Sequence, residues 1–209
     1  MKYKYSNNRI LIFAREPVLG KVKTRLQSTL GLARTFDLHC ALIKYQVEQV
    51  DRNSLVPVEL WVTSNPSHEV FQNLSGKPKL FEQWGDDLGH RMMNAAEAAL
   101  QRVESVVIIG SDCPSVDSDY LEQALRLLGQ GTEIVIGPAE DGGYVLLGMN
   151  RITPEIFLNI PWGSEQVMEI TLQRLKVSGL SFKLLEPRWD VDRPEDLARL
   201  AELQPPFSY

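Results

Sequence analysis

Val106-Val107-Ile108-Ile109-Gly110-Ser111-Asp112-Cys113-Pro114 is the stretch that decides the fold class. Four β-branched residues run without a polar break, so both faces of the segment are apolar, and the run ends in small and acidic residues. A short strand with two apolar faces belongs in a mostly parallel sheet covered by helices on both sides. Arg9–Ala14 (RILIFA), Val58–Thr63 (VELWVT) and Ile134–Gly137 (IVIG) read the same way. Helical patterns lie between them. Asp87–Val103 places Leu88, Met92, Ala95, Ala96, Ala99 and Val103 at three- and four-residue intervals, which makes one apolar face. Leu32–Val50 and Glu165–Val177 repeat that pattern. Strands alternating with such helices predict an α/β sandwich. From Glu133 to Met149 two strand-like runs flank Pro138–Gly143 (PAEDGG). A connection that short favours a hairpin, so the sheet is expected to be mixed.

Composition narrows the function classes. A chain of 209 residues predicts one domain, 1–209, long enough to fold on its hydrophobic core without disulfides or a structural metal. With 44% hydrophobic and 23% charged residues it has ordinary globular usage, which excludes a disordered chain. The balance of 22 basic against 27 acidic residues, net −5, argues against nucleic acid as the partner. Cys40 and Cys113 cannot make a disulfide framework, and no C-x-x-C spacing offers a zinc site. The apolar run Ile10–Ala14 is too short for a signal-peptide core, and nothing approaches the ~20 apolar residues of a membrane span. A cytoplasmic protein is the expectation. His39, His68 and His90 share no metal-ligand spacing. No pattern reports on the oligomeric state.

The loop after the first strand carries the strongest charge signal. Phe13 to Leu26 (FAREPVLGKVKTRL) puts Arg15, Lys21, Lys23 and Arg25 within eleven residues of an otherwise acidic chain. Pro17 and Gly20 supply a bend. In an open α/β sheet, ligands sit beyond the carboxyl ends of the strands, where a following helix adds backbone N–H groups. These residues suit a nucleotide diphosphate, and a solvated basic loop is the competing reading. The loop is neither a P-loop, because G-x-x-x-x-G-K-[ST] fails, nor a dinucleotide fingerprint, because G-x-G-x-x-G is absent.

Three acidic clusters complete the inventory. Asp112, at the carboxyl end of a buried-looking strand, points into the expected crevice, where a carboxylate beside a diphosphate suggests Mg²⁺ or Mn²⁺. An Asx-type turn before Pro114 is the alternative. Asp190-Val191-Asp192-Arg193-Pro194-Glu195-Asp196 holds a second set. Asp192 with Glu195 three residues on matches a capping box, so a helix cap explains the spacing as well as a metal ligand does. In Glu140-Asp141-Gly142-Gly143-Tyr144, the glycines either meet turn geometry or let a sugar or acceptor approach the backbone as binding residues, with Asp141 as hydrogen-bond acceptor or catalytic base. Cys113 fits a small buried filler, and Trp162-Gly163-Ser164 either packs on the domain or lines a pocket.

Taken in order, F-x-R-x-P-x-x-G-x-x-K-T-R-L, Gly85-Asp86-Asp87-Leu88-Gly89-His90-Arg91-Met92, Gly110–Pro114, Gly137–Tyr144 and Asp190–Leu197 resemble one family over residues 9 to 200. It is the DUF2064 group of glycosyltransferase-A-like proteins, often labelled arsenosugar-biosynthesis-type glycosyltransferases. The group is similar to 2-phospho-L-lactate guanylyltransferases and, more distantly, to cytidylyltransferases of sugar and isoprenoid pathways. The resemblance implies a three-layer, Rossmann-like mixed sheet, the nucleotide-diphospho-sugar transferase (GT-A) fold. It makes Lys23 and Arg25 phosphate contacts; Arg15 and Gly20 are the other binding candidates of that loop, and Lys23 is its catalytic candidate. Gly85, Leu88, Gly89 and Arg91 match the segment near the nucleotide. Asp112 and Asp192 match the two metal-binding acids, which implies Mg²⁺ or Mn²⁺. One departure is visible: many nucleotidylyltransferases have a glycine-rich first loop ending in Arg-Met, whereas this chain has G-x-x-K-T-R-L.

Three functions follow as expectations. The first is metal-dependent glycosyl transfer from a nucleotide sugar to a small-molecule acceptor, the metal and basic loop neutralising the leaving diphosphate. The second is nucleotidylyl transfer from an NTP with release of pyrophosphate. The third is a non-catalytic nucleotide-binding protein.

Overall fold

The computed structural model describes residues 3–52, 54–203 and 207–209. Seven strands form one sheet: β1 Asn8–Ala14, β2 Val58–Val62, β3 Lys79–Glu82, β4 Ser105–Gly110, β5 Ile134–Pro138, β6 Tyr144–Met149 and β7 Phe182–Leu184. The helices are α1 Gln27–Asp51, α2 Glu69–Gln72, α3 Leu88–Leu100, α4 Ser118–Gly129 and α5 Val167–Ser178, with 3₁₀ turns at Thr24–Leu26, Pro154–Ile156 and Pro194–Glu202. The strand order is β3-β2-β1-β4-β6-β5-β7. All neighbours are parallel except β6, which runs antiparallel to both β4 and β5. The fold is the expected α/β class with a mixed sheet, and the expected hairpin is β5–β6.

The apolar runs build this arrangement because each strand must bury both faces. Ile10, Ile12, Val107, Ile109 and Val135 pack to one side with Ile43 and Val47 of α1 and Leu121 and Leu125 of α4. Leu11, Val106, Ile108, Ile134 and Ile136 pack to the other with Met92, Ala95 and Ala99 of α3 and Leu175 of α5. The side chains alternate with the strand period of two, which gives three layers. Each fully buried Ile or Leu contributes about 1.5–3 kcal/mol. Asp87 stays outside α3 as its cap, its Oδ1 accepting the His90 N–H at 2.8 Å. The helix expected from Leu32 is present, preceded by one further turn across Gly31, whose φ of 77° breaks the helical geometry.

The sheet topology decides where a ligand can sit. From β1 the chain winds outward through β2 to β3 on one side, then returns to place β4 on the other. The switch point therefore lies between the carboxyl ends of β1 and β4, the position where open α/β sheets form a crevice. Phe13 pairs with Gly110 in register, and the Ser111 N–H donates to the Phe13 carbonyl at 3.0 Å. The basic loop and Asp112 are thereby adjacent. Because β6 runs antiparallel between β4 and β5, its preceding loop, 139–143, joins the same edge. Among the described residues no helix is long and apolar enough to cross a membrane.

Candidate functional site

Two cavities open along this edge and meet at Asp112. The first, about 390 Å³, is bordered by Arg15, Lys23, Arg25, His39, Asp112 and Asp192. The second, about 220 Å³, reaches under the sheet edge toward α3 and α5; Leu88, Met92, Leu147, Tyr144 and Trp162 form its apolar wall, and Asp112, Asp141 and Asp190 are its charged groups. The chain thus brings Asp112 and Asp192 to one cavity across 80 positions of sequence.

Lys23 is the centre of the first cavity. It holds a left-handed backbone, φ 45°, at the foot of the Thr24–Leu26 turn, and its side chain is only 6% exposed. Its ammonium donates to Asp112 Oδ2 at 2.7 Å and to the Val191 carbonyl. A solvated loop, the competing reading of these cations, does not hold for Lys23, which is buried and paired. Burial by itself would lower the ammonium pKa, but Asp112, then Asp192 and Asp190, outweigh it and the pKa is raised. On Asp112 burial pushes the other way, toward the acid, and Lys23 overrides it, so that the carboxyl is held below its usual range. Arg25, exposed, pairs with Asp192 Oδ2. His39 donates from Nε2 to the Arg15 carbonyl at 3.0 Å, and burial lowers its pKa.

Asp192 does not cap the last helix. The expected box of Asp192 with Glu195 gives way to one a residue further on. Asp196 Oδ2 accepts the N–H groups of Asp192 at 2.9 Å and of Arg193 at 2.7 Å. Arg193 stands at the cap position before Pro194. Pro194 sets the frame, because its fixed φ suits the first helical residue and its missing N–H is not needed there. The Asp192 carboxylate is thereby left to the cavity.

Asp190 is the functional candidate that sequence reasoning passed over. It lines the second cavity, and its carboxyl pKa is pushed up to about 7, first by burial and then by the Asp112 carboxylate. Its signal was the D-x-D spacing: acids two apart in an extended segment face the same side. Tyr144 and Trp162 were also under-read. Their rings meet edge to face, with centroids 6.1 Å apart. The Tyr144 hydroxyl and Trp162 Nε1 are both buried, without a hydrogen-bond partner among the described residues.

The remaining sequence candidates are placed as follows. Leu88, Asp141 and Gly143 line the second cavity. Asp141 Oδ1 accepts the Gly143 N–H at 3.1 Å. Gly142 takes the Met168 N–H on its carbonyl at 3.0 Å, which ties the loop to α5. Gly20, Gly85, Gly89, Arg91 and Gly142 are not among the residues lining the two cavities. Arg91 Nε donates to the Gly85 carbonyl at 3.1 Å, and the Gly20 carbonyl accepts from Gln27. Packing alone accounts for a glycine at position 89, because a Cβ there would lie 2.1 Å from the Phe157 carbonyl oxygen and 2.5 Å from Trp162 Nε1. Gly89→Ala is expected to cost about 2–3 kcal/mol through this overpacking. That lowers the melting temperature by roughly 5–10 °C in a chain of this size. A melting curve unchanged within a degree would remove the packing explanation.

Metal chemistry can be weighed against these side chains. Among the described residues no three His, Cys, Asp or Glu side chains are grouped so as to hold an ion alone. The carboxylates at the meeting of the cavities instead suit the mode in which Mg²⁺ or Mn²⁺ takes one or two carboxylates and completes its shell with phosphate oxygens and water. Asp112 and Asp192 fit that role, with Asp190 beside them.

Comparison with known proteins agrees with the fold. A family model for uncharacterized proteins conserved in bacteria, DUF2064, matches residues 46–164. No curated protein matches the chain. A crystal structure from Desulfovibrio desulfuricans, named provisionally as a nucleotide-diphospho-sugar transferase, superimposes with a TM-score of 0.86 at 29% identity, over 94% of this chain and 88% of that one. CMP:2-keto-3-deoxy-manno-octonic acid synthetase complexed with CTP gives 0.62 at 13% identity, covering 96% and 99%. The manganese complex of a Mycobacterium tuberculosis protein, Rv0371C, gives 0.52 at 16% identity, covering 96% and 100%. The fold is that of the nucleotide-diphospho-sugar transferases.

Proposed function

This chain belongs to the DUF2064 family, and from that premise we propose that it is a nucleotide-dependent transferase, one that moves a glycosyl group from a nucleotide-diphospho-sugar to a small-molecule acceptor. One observation carries the reading: the cations after β1 and the acids after β4 and β7 border one cavity at the switch point of the sheet. Arg15, Lys23 and Arg25 would bind the diphosphate, Lys23 stabilising charge that develops on it as the sugar leaves. Asp112 and Asp192 would hold Mg²⁺ or Mn²⁺, which supplies charge neutralisation at the leaving diphosphate; the manganese complex of the M. tuberculosis protein of this fold supports the choice of ion. Gly20 shapes the phosphate loop. Gly85, Gly89 and Arg91 would form the segment next to the nucleoside, with Leu88 of the same segment bordering the second cavity, and Gly142 and Gly143 would give the acceptor room beside the backbone. Asp141 would accept the acceptor's hydroxyl proton as the oxygen bonds to the sugar carbon and the electron pair of the broken bond departs with the nucleoside diphosphate. Residues 1–209 act as one domain.

A second reading is nucleotidylyl transfer, and the likeness of fold to a synthetase complexed with CTP favours it. Product analysis separates the two. Incubation with NDP-sugars and with NTPs, in Mg²⁺ and in Mn²⁺, should release nucleoside diphosphate from the former and no pyrophosphate from the latter. Pyrophosphate release from an NTP would overturn the glycosyl reading, and nucleotide binding without any turnover would leave only a binding protein.

A further inference from the structure

The two cavities divide the charges between them. All three cations of the crevice, Arg15, Lys23 and Arg25, border the first, whereas no Lys, Arg or His among the described residues lines the second. The second carries three carboxylates, Asp112, Asp141 and Asp190, over a wall of carbon. Lys23 approaches Asp112 but is itself consumed by that carboxylate and by the Val191 carbonyl. Tyr144 and Trp162 also line the space, with the Tyr144 hydroxyl and the Trp162 Nε1 buried.

We infer that the second substrate is an uncharged alcohol with a compact apolar body, bound in the 220 Å³ cavity beside Asp141 and Asp190. The inference rests on the transferase reading above and narrows it. A phosphate monoester or carboxylate placed there would lie against Asp141 and Asp190 with no Lys, Arg or His among the lining residues to pair with it, an arrangement that disfavours binding. A hydroxyl can donate to a carboxylate, and its carbon body buries against Met92, Leu147 and Trp162, in the way ligand pockets combine apolar walls with a few polar groups. The volume admits one six-membered ring with a short substituent. Such an acceptor suits attack on a sugar carbon, whereas nucleotidylyl transfer to a phosphate or carboxylate would bring an anion into this space.

Three probes with one ring test the inference on the whole protein: 4-fluorobenzyl alcohol, 4-fluorobenzoate and 4-fluorobenzyl phosphate, followed by ¹⁹F line broadening in EDTA and again in Mg²⁺. The alcohol is expected to bind, and both anions to bind at least about tenfold more weakly in both conditions. Leu88→Trp, at a rim position 43% exposed, should fill the cavity and abolish alcohol binding without unfolding the chain. Asp141→Lys, on an exposed loop, should shrink the bias against the anions about threefold or more. Either anion binding as tightly as the alcohol, binding that survives Leu88→Trp, a bias untouched by Asp141→Lys, or failure of every probe overturns the inference. Calorimetric titration of GDP, UDP and CDP runs alongside. Loss of nucleotide binding would sink the transferase reading, while the order of the three probes decides this one.

Discussion

Lys23→Ala is expected to lower folding stability by about 3 kcal/mol, far more than any other cation of its loop. The substitution strands Asp112, whose partner ammonium sits 2.7 Å away with only 6% of its side chain exposed, and it frees the Val191 carbonyl. Removing one member of such a pair leaves an uncompensated charge, which costs about 3–5 kcal/mol when both partners are deeply buried. Asp112 keeps 37% of its side chain exposed, which places the figure at the lower end. Arg25→Ala breaks a pair whose partners are 62% and 36% exposed, and should cost no more than about 1 kcal/mol. Urea titration of the two variants gives the comparison, and equal midpoints would show that Lys23 is not a buried anchor. Lys23→Met combined with Asp112→Asn should recover part of the loss, since no charge is then left behind. Both single variants should weaken nucleotide binding by about 10- to 150-fold, the worth of a charge-assisted phosphate contact.

Asp192→Asn is expected to do the reverse, sparing the fold and removing the activity. The helix cap belongs to Asp196, so the exchange touches only the exposed pair with Arg25. Its cost to stability should stay within about 1 kcal/mol. The lost negative charge, by contrast, is one that a hard divalent ion requires. Turnover supported by Mg²⁺ or Mn²⁺ should fall at least about 100-fold, since metal stabilisation of a leaving group is worth several kcal/mol. Thermal melts with and without nucleotide and Mg²⁺ make the check: the wild type should gain stability from the combination and Asp192→Asn should not. A full metal response in the variant would leave Asp112 and Asp190 as the candidate ligands.

Much of the fold was legible because burial on two faces leaves a mark in composition. β1, β2, β4 and β5 are rich in apolar and β-branched residues, and the short connection before β6 dictated the hairpin. β3 (KLFE) and β7 (FKL) left no such mark, because edge strands are short and keep charged residues on their exposed sides. Helix α4 carries as clear a signature as α3, with Asp117 capping it through the Tyr120 N–H, so its absence from the expected elements was no failing of the sequence. The site was legible in its residue types but not in its pairings. Asp112 followed from the strand end, whereas the burial of Lys23 depends on a carbonyl 168 residues away, beyond the reach of any local pattern. The Asp192 cap was misread because two acids, Glu195 and Asp196, compete for the same amides, and only the placement of Pro194 at the first helical position decides between them.

That long-range carbonyl also fixes when the site can exist. Val191 donates its N–H to the Asp112 carbonyl and accepts from Lys23, so residues 190–192 reach the carboxyl ends of β1 and β4 only after every other strand has been made. On the ribosome β1 through β6, with Lys23 and Asp112, are synthesised before Asp190 and Asp192. A nascent chain is therefore expected to acquire its sheet before its transferase centre, and an interrupted one to be folded in large part yet inert. The acids that complete the site follow in sequence every strand that positions Lys23 and Asp112.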